Sequence, residues 1–183
     1  MFKKLNFTLD IDFERIKNDQ TDISYGETFR SYAIKDMQYF DDVLSRSVKF
    51  NIKPTALNYT EISVGATPHV DGPFVVLNYY LQTNRDATYF WKPITPDIEI
   101  SELPPSATQV GVLSSVVVGV YDPNKLKLTN YFVAKDHDAY LFDVSCIHSV
   151  SCRDHRSVRR FIRIFWENTT FKEVLDSIEI LSK

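Results

Sequence analysis

The chain has 183 residues, 44% of them hydrophobic and 14% aromatic, enough to bury a core without disulfides or a structural metal and too apolar for a disordered segment. A formal charge of −3 speaks against a broad nucleic-acid-binding face, so no nucleic-acid partner is expected. No apolar run approaches the roughly 18 to 20 residues of a membrane span.

The amino-terminal "MFKKLNFTLDIDFERIK" starts basic, but Asn6, Asp10 and Asp12 interrupt it before a signal-peptide core can form, and a soluble cytoplasmic protein is expected. Ile34, Met37, Phe40, Val43, Leu44 and Val48 then recur at helical spacing and predict an amphipathic helix. From residue 56 the chain reads as strand. "ALNYTEISV", "FVVLNYYLQT", "ATYFWKP", "VGVLSSVVVGVY", "LTNYFVA", "AYLFDVS" and "RRFIRIFW" are rich in β-branched and aromatic residues. Turn signals separate them at Gly72-Pro73, Asn84-Arg85-Asp86, Asp122-Pro123-Asn124 and Lys135 to Asp138. The proline-dense stretch Lys92 to Thr108 predicts a long loop walling a site. Thr170 and Glu173 stand in capping-box spacing ahead of Phe171, Val174, Leu175 and Ile178, predicting a closing helix.

With no repeat or linker, these elements predict a single domain over 1–183. Residues 1–50 form a helix-and-strand support, 55–167 a barrel core and 169–182 the last helix. Several short strands without intervening helices imply a mostly β protein, a jelly-roll barrel flanked by helices. Cys146 and Cys152 form no disulfide framework and are expected as reduced, partly buried thiols.

Chemistry concentrates in "SVGATPHVDGPFVVLNYYL". His69 and Asp71, two positions apart on a strand, project from the same face, and a buried carboxylate needs a partner or a metal. A second histidine, His148, ends "LFDVSCIH", a strand that a barrel can bring alongside. Two imidazoles and a carboxylate make the facial triad typical of non-haem Fe(II), with coordination positions left open; zinc takes similar ligands, and spacing alone does not choose. An H-x-D pair is also common by chance, and beside Gly72-Pro73 His69 has an ordinary reading as a turn residue. His137, in "KDHDAY", and His155, in "CRDHRS", read as surface residues.

Four pieces in order, "PHVDG", the hairpin "YYLQTNRDATYF", "DAYLFDVSCIHSV" and the basic, aromatic "RRFIRIFW", resemble the Fe(II)- and 2-oxoglutarate-dependent dioxygenases. The likeness is to the prolyl-hydroxylase-like and aspartyl/asparaginyl-hydroxylase-like branches, across Tyr59 to Trp166. That resemblance implies a double-stranded β-helix, cupin-like in outline, and His69, Asp71 and His148 as iron ligands. It also implies 2-oxoglutarate and dioxygen as co-substrates, with ascorbate as an auxiliary reductant, and hydroxylation of a small-molecule, amino-acid or peptidyl substrate.

The family anchors the far carboxylate of 2-oxoglutarate with a basic residue about ten to a dozen positions past the second histidine, which makes Arg159, Arg160 and Arg163 the candidates. Arg160 is the first choice and Arg163 the second, because strand alternation divides them between faces; Arg153 and Arg156 read as a solvated turn. Asn78 and Tyr80 share a face suited to touching the co-substrate, while Tyr79 packs outside. "RDATYF" departs from the family's Gly-Gly pair at this hairpin, which bears on its geometry and not on the ligands. Two other readings stand beside this one: a cupin-type metalloenzyme that does not use 2-oxoglutarate, and an inactive barrel serving as a binding module. Oligomeric state is not legible.

Overall fold

The structure is a computed structural model describing residues 1–18, 20–24, 29–63, 65–72, 74–83, 85–96, 119–151 and 158–181. In chain order the elements are β1 (Phe2–Leu5), α1 (Phe13–Asn18), β2 (Gln20–Ser24), β3 (Phe29–Ile34), α2 (Met37–Ser45), β4 (Val48–Phe50), β5 (Ala56–Ile62) and β6 (Ala66–Val70). Then come β7 (Phe74–Gln82), β8 (Ala87–Pro93), β9 (Gly119–Val120), β10 (Leu126–Val133), β11 (Ala139–Asp143), β12 (His148–Val150), β13 (Arg159–Glu167), α3 (Phe171–Ser177) and β14 (Ile178–Ile180).

Two antiparallel sheets carry the fold, in orders β1-β11-β7-β13-β5-β3-β2 and β10-β8-β12-β6-β9, with β4 and β14 as a separate pair. The chain alternates between the two sheets: β5, β7, β11 and β13 lie in the first, and β6, β8, β10 and β12 in the second. This is the strand order of a jelly roll, and it establishes the double-stranded β-helix from connectivity alone.

The central strand β13, "RRFIRIFWE", is apolar on both faces because both are covered. Its even-numbered residues Ile162, Ile164 and Trp166 face outward with Leu77 and Tyr79 of β7 and Leu57 and Tyr59 of β5. Phe7 and Leu9 of the amino-terminal segment, Phe40, Val43 and Leu44 of α2, and Val174 of α3 cover that face. The odd-numbered Phe161 and Phe165 point between the sheets, where they meet Val76, Tyr80, Phe90, Phe132, Tyr140 and Phe142. Phe132 and Tyr140 stack with centroids 3.9 Å apart.

The predicted helix over 34–48 is shorter, Met37–Ser45, because Asp36 caps it by accepting from the Tyr39 amide at 2.9 Å; Ile34 and Val48 belong to the flanking strands. At the other end Thr170 and Glu173 form the reciprocal capping box, and α3 stops at Ser177 as the chain turns into β14. Most of the strand expected over 110–121, and the proline-dense loop beyond residue 96, lie outside the described residues. No helix among the described residues is long and apolar enough to cross a membrane.

Candidate metal centre and anion-binding interior

His69 lies one residue before the end of β6 and His148 opens β12, and the two are direct partners in the ladder between those strands. Their rings stand 4.3 Å apart between centroids. On β12 the next residue, Ser149, turns outward and accepts from the Trp91 indole N–H at 2.8 Å, which holds His148 inward by alternation. Asp71 follows β6; its amide donates to the Val144 carbonyl at 2.9 Å, fixing the turn between the sheets. Beside it Gly72 lets the Phe74 ring pack close over the turn, where a Cβ would stand 2.5 Å from the ring.

Asp71 thus reaches both imidazoles. Its Oδ1 is 3.6 Å from His69 Nε2 and its Oδ2 is 3.8 Å from His148 Nε2. These separations are too long for hydrogen bonds. Two donors to one ion at about 2.1 Å stand at most about 4.2 Å apart, and both separations fall within that limit. All three donor atoms lie within 4.8 Å of one another.

Both histidines are prepared in the same way. His69 Nδ1 lies 2.6 Å from the Thr67 carbonyl and His148 Nδ1 lies 2.9 Å from the Cys146 carbonyl. A carbonyl only accepts, so each Nδ1 carries a proton and each Nε2 is turned toward Asp71. Burial pushes the His148 imidazolium down to about 4, against the opposing pull of Asp71, so the ring is neutral at physiological pH. Asp71 is 6% exposed, and its Oδ1 has no hydrogen-bond partner. Two imidazoles that turn Nε2 toward one buried carboxylate with an orphaned oxygen suit a divalent cation, Fe(II) among them.

The remaining candidates divide by face. Arg160 points outward: its Nε donates to Glu61 at 3.0 Å, its Nη1 bonds Gln82, and it borders a shallow cleft with Leu9, Ile11 and Phe13. The first choice for the carboxylate anchor therefore lies on the opposite side of the sheet from His69, Asp71 and His148. Arg163 lies inside, 9% exposed, with its Nε donating to Asn78 Oδ1 at 3.1 Å. Asn78 and Tyr80 also face inward, bonded to each other at 3.4 Å, while Tyr79 packs in the outer core.

Arg159, set behind both neighbours in the sequence reading, is the more deeply placed arginine, 3% exposed. Its Nη2 donates to the Tyr80 hydroxyl at 2.6 Å and to Thr88 Oγ1 at 3.2 Å, and its guanidinium lies 4.6 Å from the Tyr80 ring centroid. Its Nε and Nη1 are buried without partners. Thr88 had no signal in the sequence; its place is set by β8 pairing with β12, where it lies opposite Val150. His137 sits on the outer face with its Nδ1 3.3 Å from the Tyr79 hydroxyl. Cys146 is a half-buried free thiol, and Cys152, Arg153, His155 and Arg156 lie outside the described residues.

No family model matches the chain. Among curated proteins it is similar to the small ribosomal subunit protein eS1 of Nanoarchaeum equitans (strain Kin4-M), 29% identical over 130 residues, 67% of this chain and 65% of the length of that protein. Among solved structures it is similar to the epimerase SnoN in complex with Fe3+, alpha ketoglutarate and nogalamycin RO, at 11% identity and TM-score 0.48, covering 90% of this chain and 77% of that one. It is similar to ectoine synthase from P. lautus at 14% identity and TM-score 0.39, covering 94% and 88%. It is similar to E. coli ycfD at 12% identity and TM-score 0.40, covering 82% of this chain and 37% of that one. These likenesses are of outline, and the jelly-roll assignment stands on the strand order within this chain.

Proposed function

We propose that the protein is an Fe(II)- and 2-oxoglutarate-dependent oxygenase, with His69, Asp71 and His148 as the metal ligands and Arg159 as the anchor for the far carboxylate of 2-oxoglutarate. One observation carries this reading. Among the described residues, the buried side-chain atoms without partners are Asp71 Oδ1 and Arg159 Nε and Nη1. The first calls for a cation and the other two call for an anion, because leaving such groups unpaired costs about 1 to 3 kcal/mol each, and more where a charge is involved.

Bound at the three ligands, Fe(II) would supply the activation of dioxygen that couples oxidation of 2-oxoglutarate to oxidation of the substrate. The chain's own residues do the rest. The Nδ1–H bonds to Thr67 and Cys146 hold the imidazole planes so that both Nε2 atoms face one point. Arg159 presents two unpartnered donors, Nε and Nη1, beside the Nη2 that binds Tyr80 and Thr88, so charge-assisted bonds to a carboxylate anion are open to it. The Tyr80 hydroxyl accepts from Arg159 and from Asn78, which leaves its own proton to donate to the same carboxylate. Phe132, Tyr140, Phe142 and Phe161 keep water from this interior and so strengthen each of these contacts.

The test is turnover without prime substrate. Purified protein supplied with Fe(II), ascorbate, oxygen and 2-oxoglutarate should form succinate slowly, and His148→Ala should abolish it. Should iron bind at the three residues while 2-oxoglutarate neither binds nor turns over, the cupin-type metalloenzyme takes its place. If neither binds, the barrel is a binding module.

A further inference from the structure

We infer that Arg163, flanked by Asn58 and Asn78, forms a second anion subsite in the barrel interior, and that the substrate is a small molecule presenting a carboxylate to it. This inference rests on the oxygenase reading for the identity of the first anion, and on separate residues for the second.

On β13, Arg163 pairs in register with Asn58 of β5 on one side and Asn78 of β7 on the other, so three polar side chains form a row across adjacent strands on the inward face. All three are buried. The guanidinium is held in place: its Nε donates to Asn78 Oδ1 at 3.1 Å, and it lies 5.1 Å from the Phe161 ring centroid and 5.8 Å from that of Phe165. Its terminal nitrogens make no hydrogen bond to a described residue, and neither does the Asn58 side chain. A fixed guanidinium fork with free donors, beside a free amide, is a built carboxylate receptor.

Arg163 lies within electrostatic reach of both Asp71 and Arg159. Arg159 and Arg163 are four residues apart on one strand face, about 13 Å between Cα atoms at strand rise. The aromatic ring of Phe161 stands between their guanidiniums. They are therefore separate receptors, Arg159 facing Tyr80 and Thr88 and Arg163 facing the asparagines and the Asp71 side of the barrel.

The experiment uses the full chain loaded with Zn(II), which is redox-inert, and propionate as the probe, with propionamide as its neutral isostere. Propionate is titrated with and without saturating 2-oxoglutarate while the Arg163 Nε–H signal is followed by 1H–15N NMR, and 2-oxoglutarate binding is measured by calorimetry. Propionate should bind alongside 2-oxoglutarate and shift the Arg163 signal, and propionamide should bind roughly tenfold or more weakly. Arg163→Met should lose propionate while keeping 2-oxoglutarate affinity within about threefold, and Arg163→Lys should recover part of the loss. Methionine fills a similar volume without a charge, so the fold should tolerate it. The inference is overturned if propionate only competes with 2-oxoglutarate, if it binds equally well to Arg163→Met, or if Arg163→Met abolishes 2-oxoglutarate binding. The last result would make Arg163 the co-substrate anchor and leave the oxygenase reading intact. If 2-oxoglutarate fails to bind the wild-type protein, that reading falls, while Arg163-dependent propionate binding still supports the second subsite.

Discussion

His69 and His148 stand opposite each other across the β6–β12 ladder, each with its Nδ1 tied to the carbonyl two residues before it. The symmetry matters because each ring is oriented by its own strand and needs no metal to face Asp71. A preformed site gives up little conformational entropy when an ion binds.

The first prediction follows directly. Mn(II) or Zn(II) should raise the thermal midpoint of the wild-type protein, as any ligand of the native state does. His148→Ala and Asp71→Asn should each lose that shift while the far-ultraviolet circular dichroism stays native. A metal-induced shift that persists in both variants would place the ion elsewhere.

Arg159 and Arg160 should separate cleanly in a 2-oxoglutarate titration of the Mn(II) protein. Arg159→Met removes a charge-assisted pair of donors from a confined site and should weaken binding by roughly 2 to 5 kcal/mol. Arg160→Met breaks a partly exposed pair with Glu61, costs about 0.2 to 1 kcal/mol of fold stability and should leave 2-oxoglutarate affinity unchanged. Equal losses in both variants would contradict the facing described above.

The ligand-free protein should be more stable as Arg163→Met. The wild-type guanidinium is buried with a single side-chain hydrogen bond, and replacing a poorly compensated buried charge by an apolar side chain is often stabilising by about 1 to 4 kcal/mol. Urea denaturation of the metal-free protein measures this, and a clear loss of stability would mean that Arg163 serves the fold rather than a ligand.

Acid sensitivity should appear early in the metal-free protein. His148 is held to about 4 when folded against 6.5 as its ordinary value, so the unfolded chain binds the extra proton across that window. Its contribution to stability is therefore fully present above pH 6.5 and is lost as the pH falls toward 4, with a steepest slope near 1.4 kcal/mol per unit. The denaturation midpoint of His148→Gln, measured from pH 7 to 4.5, should fall less than that of the wild type.

Local chemistry in the sequence determined a good deal of this protein. The β-branched and aromatic runs place β5, β7, β8, β11 and β13 almost to the residue, because strand propensity and turn residues act over a few positions. The Thr170 and Glu173 capping box is likewise a local bargain between a side chain and the nearest amides. His69, Asp71 and His148 stood out by residue type and were joined as a ligand set by the resemblance of four pieces in order, and the inward facing of Asn78 and Tyr80 followed from alternation.

Only the tertiary structure decided which face of β13 looks inward. Phe161 and Phe165 are as apolar as Ile162, Ile164 and Trp166, since the strand is covered on one side by the second sheet and on the other by the amino-terminal segment and helices. A period-2 pattern carries information only when one face is wet, so nothing local distinguished Arg160 from Arg159 and Arg163. His148 was named as a ligand but placed at the end of the wrong strand: the chain leaves β11 at Asp143 and enters the other sheet before His148 opens β12. The juxtaposition of Asp71 with both imidazoles, and of Arg159 with Tyr80 and Thr88, is a product of strand order, which long-range pairing sets.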